Sequence, residues 1–174
     1  MRCLKCNKQA QTGLRHLGRL CKICFCQTIE KRIRKYVRIN KVFSKNDRII
    51  AVGPLNQYLI QRIIEGLPAK IISAKRPGKG KNIILKTADD IACELLQGML
   101  QNRKTKNQHT SIVRVCTDEE LMLFCKYRKI SFKPNNKDPD VMKILNTLQK
   151  KHPETKFSVA KSEEKMQRLL RSKF

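Results

Sequence analysis

The cysteines of this chain are spaced for one kind of chemistry. Cys3-Leu-Lys-Cys6 and Cys21-Lys-Ile-Cys24 are two short turns separated by residues 7–20. Each Cys-x-x-Cys turn points two sulfurs the same way, and the intervening stretch suffices for a loop or hairpin that brings the pairs together. Four soft thiolates closing on one ion make a tetrahedral structural site, so a zinc ion held by Cys3, Cys6, Cys21 and Cys24 is expected. The same cysteines could form two disulfides in an oxidising compartment. The chain opens Met-Arg-Cys-Leu-Lys-Cys with no apolar leader, which favours reduced thiols and a cytoplasmic location. Cys26 is close by but off register, a buried spare or a competitor for the metal. His16 lies inside the metal loop as an alternative ligand, whereas His109 and His152 are isolated. Cys93, Cys116 and Cys125 have no paired spacing and sit in apolar stretches, where a small buried hydrophobe is the expected role.

Charge speaks to the partner. The 174 residues carry 39 Lys and Arg against 14 Asp and Glu, a formal net charge of +25. Such an excess is the footprint of a polyanion, here nucleic acid, RNA or DNA, and no run approaches the roughly 18 apolar residues of a membrane span. Residues 27–38 place Ile29, Ile33, Tyr36 and Val37 on one helical face, with Lys31, Arg32, Arg34, Lys35 and Arg38 around the rest. Lys41 extends the stripe. These six cations are the candidate RNA-binding residues, since phosphate contacts need density of positive charge rather than a motif.

Beyond residue 46, short β-branched runs alternate with helical periods, the pattern of an α/β unit with a parallel sheet. Strands are expected over 48–52, 69–73, 82–86 and 111–115. Helices are expected over 55–67, with Leu59, Ile60, Ile63 and Ile64 inward, after the cap Thr87, after the capping box Thr117-x-x-Glu120, over 141–152, and near the C-terminus. Residues 75–81 form a basic Gly/Pro loop, and 102–109 a polar one. The expected organisation is a zinc module over 1–26, a basic linker helix over 27–45 and an α/β domain over 46–174.

Three stretches carry a family resemblance. Cys21-Lys-Ile-Cys24-Phe25 with Ile29-Glu30, Ala88-Asp89-Asp90-Ile91-Ala92, and His152-Pro153-Glu154-Thr155-Lys156-Phe157 with the segment 162–165 together resemble the tRNA 2-thiolation proteins of the ATP-pyrophosphatase superfamily. The resemblance implies a reduced nucleotide α-hydrolase-like, Rossmann-like domain behind the zinc module. Catalytic members carry Ser-Gly-Gly-x-Asp-Ser after the first strand, where backbone amides and hydroxyls hold a pyrophosphate. Here Gly53-Pro54-Leu55-Asn56-Gln57 stands in that place, and the family's central Cys-x-x-Cys is missing. The resemblance with these departures implies the non-catalytic subunit of the cytoplasmic tRNA 2-thiolation complex. Such a subunit would be a pseudoenzyme without ATP, binding tRNA and pairing with a catalytic homologue that thiolates the wobble uridine. Asp89 and Asp90 are then read as helix N-terminal caps. Two other readings are an active thiolase in which Cys93, Cys116 or Cys125 carries sulfur, and a small zinc-containing RNA-binding or ribosome-associated protein with no role in modification.

Overall fold

A computed structural model describes residues 1–63, 69–103 and 110–171. It opens with an antiparallel hairpin, β1 (Thr12–Leu14) and β2 (Gly18–Leu20), followed by the long helix α1 (Lys22–Ile39). Phe25, Ile29, Ile33 and Val37 recur at i+4 spacing and form the buried side of α1. The helix starts earlier than residue 27 because Cys21 is its N-cap, its sulfur accepting the Cys24 N–H. The knuckle and the basic helix are thus one element. It ends at Asn40, whose side chain donates to the Tyr36 carbonyl, and Lys41 then turns the chain at φ 46°.

The expected α/β unit is present. β3 (Arg48–Val52) is the central strand of a parallel sheet ordered β4-β3-β5, with β4 (Lys70–Ala74) and β5 (Lys81–Ile83) on either side. Ile49 pairs with Ile71 on one side and Lys81 on the other. Buried on both faces, Ile49, Ile50 and Ala51 give the continuous apolar run typical of a parallel strand. Helix α2 (Pro54–Ile63) follows β3. Ile64, the remainder of the helix expected to residue 67, and residues 104–109 of the polar loop lie outside the described residues.

The expected strand over 111–115 does not form a ladder. Thr110 makes a single parallel bridge to Ile83, and beyond it Ser111 Oγ replaces the backbone pairing, accepting from Lys86 N at 3.2 Å and donating to Lys86 O at 2.7 Å. Ile112 and Val113 are fully buried all the same. A hydroxyl at the first position of a short apolar run competes with the ladder, and this the β-branched composition of the run does not reveal.

Four helices complete the fold: α3 (Ala88–Leu100), α4 (Asp118–Arg128), α5 (Pro139–Lys151) and α6 (Thr155–Arg171). Thr87 with Asp90 and Thr117 with Glu120 close capping boxes at the starts of α3 and α4, the second as its spacing predicts. Asp138 caps α5 with Pro139 in its first turn. α6 lies on α3 through Ala88, Ile91, Ala160 and Phe157, while α5 meets α3 through Ala92, Cys93, Val141 and Leu145. One apolar cluster runs from Cys3, Leu14 and Leu20 through Phe25 and Ile33 to Ile49, Leu59 and Phe124, so the hairpin and the sheet share a core. No helix among the described residues is long and apolar enough to cross a membrane.

Phe25 is fully buried in that shared cluster, edge-on to Tyr127. Phe25→Ala should lower the unfolding free energy by about 3–5 kcal/mol, read by urea denaturation. A change below about 1 kcal/mol would mean that the metal hairpin and the sheet do not share a core.

Candidate metal centre and the polar web beside it

Cys3, Cys6, Cys21 and Cys24 come together, their four sulfurs all within 4.8 Å of one another. Each knuckle is built by its backbone. Lys5 N donates to the Cys3 sulfur at 3.5 Å and Cys24 N to the Cys21 sulfur at 3.4 Å, while Asn7, at φ 58°, closes the first turn by donating to Cys3 O. Leu4 N bonds Arg19 O, which ties the first knuckle to β2. Gly18 makes that approach feasible: its φ is +70°, and a Cβ there would meet Leu4 Cδ1 at 2.5 Å.

The same N–H groups tune the thiols. Burial opposes the Cys3 thiolate, but the amides of Cys21, Lys5 and Cys6 outweigh it and bring its pKa down to about 6. The Cys24 amide lowers Cys21, whereas its neighbour Cys6 and burial push Cys24 up to about 12. Four thiols this close cannot all ionise unaided, and a cation between them resolves the conflict. Thiolates held about 2.3 Å from one tetrahedral zinc stand about 3.8 Å apart, and the Cys6–Cys21 sulfur separation is 3.5 Å. A four-iron cubane sets its irons between the thiolates and needs them further apart. The donor set and its spacing therefore fit a single ion.

Neither Cys26 nor His16 belongs to the cluster. Cys26 is buried on α1, and burial raises its thiol. His16 Nε2 instead lies 2.8 Å from Glu120 Oε1. Glu120, fully buried, accepts from Arg32 Nη1 through both oxygens, at 2.7 and 2.9 Å, and from Thr117 N at 2.9 Å. Burial works against its charge, yet His16, Arg32 and Thr117 N prevail and hold the carboxyl below its ordinary pKa. Arg32 is consequently committed to Glu120 and to Val115 O, its guanidinium over the Phe157 ring. Among the other candidate RNA-binding residues, Lys31, Arg34, Lys35, Arg38 and Lys41 are exposed.

Of the two aspartates expected as caps, Asp90 closes the capping box of α3 with Thr87, whereas the described bonds of Asp89 go elsewhere. Asp89 Oδ1 pairs with buried Lys156 at 2.5 Å and its Oδ2 accepts from Asp118 N at 2.9 Å. Asp90 Oδ1 pairs with Lys137 at 2.7 Å, and Lys137 also holds Asp118 at 2.6 Å. The Ala-Asp-Asp and Thr-Lys-Phe stretches, far apart in sequence, thus form one ion pair. Lys137 and Lys156 escaped the sequence reading because lysine is ordinarily a surface residue. Cys93, Cys116 and Cys125 are buried; burial pushes Cys125 up to about 12 and Cys116 well above the ordinary thiol range.

At the end of β3, Gly53 has φ +86° and its N–H donates to Ala74 O. Asn56 Nδ2 donates to Val52 O at 2.8 Å and Ile83 O at 3.1 Å. The described polar bonds of this turn hold the three strands together.

No family model matches the chain. A tRNA-5-methyluridine(54) 2-sulfurtransferase of Thermotoga maritima is 41% identical over 51 residues, which amount to 29% of this chain and 17% of that relative. The solved U34-tRNA thiolase NcsA from Methanococcus maripaludis with its [4Fe-4S] cluster superposes with a TM-score of 0.70 over 95% of this chain and 87% of that one, at 15% identity. The chain has a thiolase's fold. It is the nucleotide α-hydrolase-like fold expected above. The expectation of a non-enzyme does not stand: it rested on the altered turn after β3 and on the missing central Cys-x-x-Cys, whereas the chain shares the fold of a thiolase and matches a sulfurtransferase over 51 residues.

Because thiolates bind the ion and thiols do not, the chain should hold one equivalent of metal at neutral pH and release it on acidification. Cys24→Ser should lower that stoichiometry, measured by elemental analysis after dialysis; full retention by the variant would exclude Cys24 as a ligand. Glu120→Gln should cost about 3 kcal/mol by leaving Arg32 without its counter-charge. Since the folded-state pKa of Glu120 is depressed, its contribution is present above the unfolded carboxyl's pKa and is lost as pH falls through the folded value. The variant's stability curve should therefore be flatter below about pH 4.3, and an unchanged curve would contradict the assignment.

Proposed function

We propose that this chain takes part in the 2-thiolation of uridine in tRNA. The observation that carries the reading is that two independent likenesses meet on one chemistry: a fold shared with a U34-tRNA thiolase over nearly the whole chain, and a local sequence match to a tRNA 2-sulfurtransferase. Zinc is the metal proposed for the four cysteines, because their spacing suits one tetrahedral ion. Bound there, zinc would supply structure, fixing the hairpin on the start of α1.

The partners proposed are tRNA and a second tRNA 2-thiolation chain in a hetero-oligomer, working in the cytoplasm, where thiols stay reduced. The net charge of +25 supports the first. Lys31, Arg34, Lys35, Arg38 and Lys41 form the proposed backbone-contacting face. Each phosphate contact releases condensed counterions and steepens the salt dependence of binding.

Replacing Lys31, Arg34 and Lys35 by Ala should weaken tRNA binding and flatten the plot of log K against log salt by about 0.9 for each phosphate no longer neutralised. An unchanged slope would remove this face from the interface. The reaction is tested with native complex purified through this chain, an unmodified tRNA transcript, ATP and a sulfur donor. The reading expects 2-thiouridine by mercury-gel retardation, and its absence from a complex that still binds tRNA would contradict it.

A further inference from the structure

Between α1 and α6 lies a cleft of about 600 Å³, within the size range of small-ligand sites. Its walls include Tyr36 and Ile39 from α1, Val115, and Phe157 from α6. Phe157 is fixed from two directions, by the His16 ring edge-to-face at 5.3 Å and by the Arg32 guanidinium 5.5 Å from its centroid. Arg32 is itself pinned by both oxygens of buried Glu120, yet a quarter of its side chain stays exposed, and it lines the cleft. The result is a ring and a guanidinium held in place beside the cleft, a preorganised stacking surface that does not have to be assembled when a flat group enters.

The two margins of the cleft carry like charge. On α6, Lys161 and Lys165 are exposed one turn apart and line it. On α1, exposed Lys35 and Arg38 adjoin the lining residues Tyr36 and Ile39. Glu154 also lines it and offers a carboxylate acceptor, while Glu164, likewise in the lining, pairs with Arg114. A polyanion that carries flat, apolar-faced groups with N–H donors on their edges matches all three features, and that is a nucleic-acid strand with a base out of its stack.

We infer that this cleft receives an unstacked base of single-stranded RNA, stacked on the Arg32–Phe157 platform, with the flanking phosphates between Lys161 and Lys165 on one margin and Lys35 and Arg38 on the other. The inference rests on the proposed role in tRNA chemistry and adds a specific base-holding site to it. It explains why a helix with exposed cations turns one arginine inward onto an aromatic ring. A duplex offers its bases only edge-on, so the site selects loops, bulges or ends.

The test uses the full chain and a short single-stranded oligoribonucleotide carrying one 2-aminopurine, whose fluorescence falls when the base stacks. Binding should quench it, and mononucleotides and a duplex of the same sequence should bind at least about tenfold more weakly. Lys161→Glu with Lys165→Glu, both exposed and so safe for folding, should weaken the oligonucleotide about tenfold or more. Lys143→Glu on the exposed side of α5 should leave binding within about twofold, as one charge away from the cleft. Phe157→Leu should reduce quenching more than affinity. Equal binding by the double variant, absence of quenching, or equal affinity for the duplex or for mononucleotides would overturn the site. If intact tRNA then still binds with its salt slope unchanged, the cleft inference falls alone; if no RNA binds at all, the tRNA reading falls with it.

Discussion

Glu120 has no exposed surface, yet it meets three groups from three regions of the chain: His16 in the metal hairpin, Arg32 in the middle of α1 and Thr117 N at the start of its own helix. A carboxylate in such a place is costly unless every lone pair is used, and here the donors come from the elements that have to be held together. Capping α4 and clamping the hairpin onto α1 are done by one side chain. The orientation of the four cysteines follows from it, because β2 and α1 deliver the second knuckle and the first is bonded to β2. The Arg32–Phe157 pair follows as well, since both oxygens of Glu120 hold the guanidinium that lies over the ring.

Placement of charge follows a related economy. The described ion pairs draw Glu30, Asp47, Asp89, Asp90, Glu94, Asp118, Glu120, Glu163 and Glu164 onto particular lysines and arginines, several of them buried. With 14 acids against 39 bases, so much internal pairing leaves the outer surface richer in cations than the composition suggests. Exposed cations such as Lys31, Arg34, Lys35 and Arg38 raise the local potential along α1, which steers a phosphate backbone and is screened by salt. Fold and partner are thus coupled: acids spent on holding helices together are unavailable to neutralise the surface.

Legibility in the sequence tracked the range of each interaction. The convergence of the two Cys-x-x-Cys turns, the capping box at Thr117 and the strand at 48–52 are local patterns, and they formed as read. Reading α1 as starting after residue 26 missed that the sulfur of Cys21 itself caps the helix. The run at 111–115 looked like a strand because its apolar residues are buried, and Ser111 changed its bonding without changing its burial. Long-range pairs such as Glu120–Arg32, Asp89–Lys156 and Asp90–Lys137 leave no trace in spacing. Reading Arg32 as one more surface cation was the natural outcome, since periodicity places it on the polar side of the helix and nothing local names its partner 88 residues away.

Participation in tRNA thiolation is tested most directly in the native cell, by removing the chain and quantifying tRNA nucleosides by mass spectrometry. A selective loss of 2-thiouridine species, restored by the intact chain, is the predicted result. Undiminished 2-thiouridine in cells that lack the chain would contradict the account.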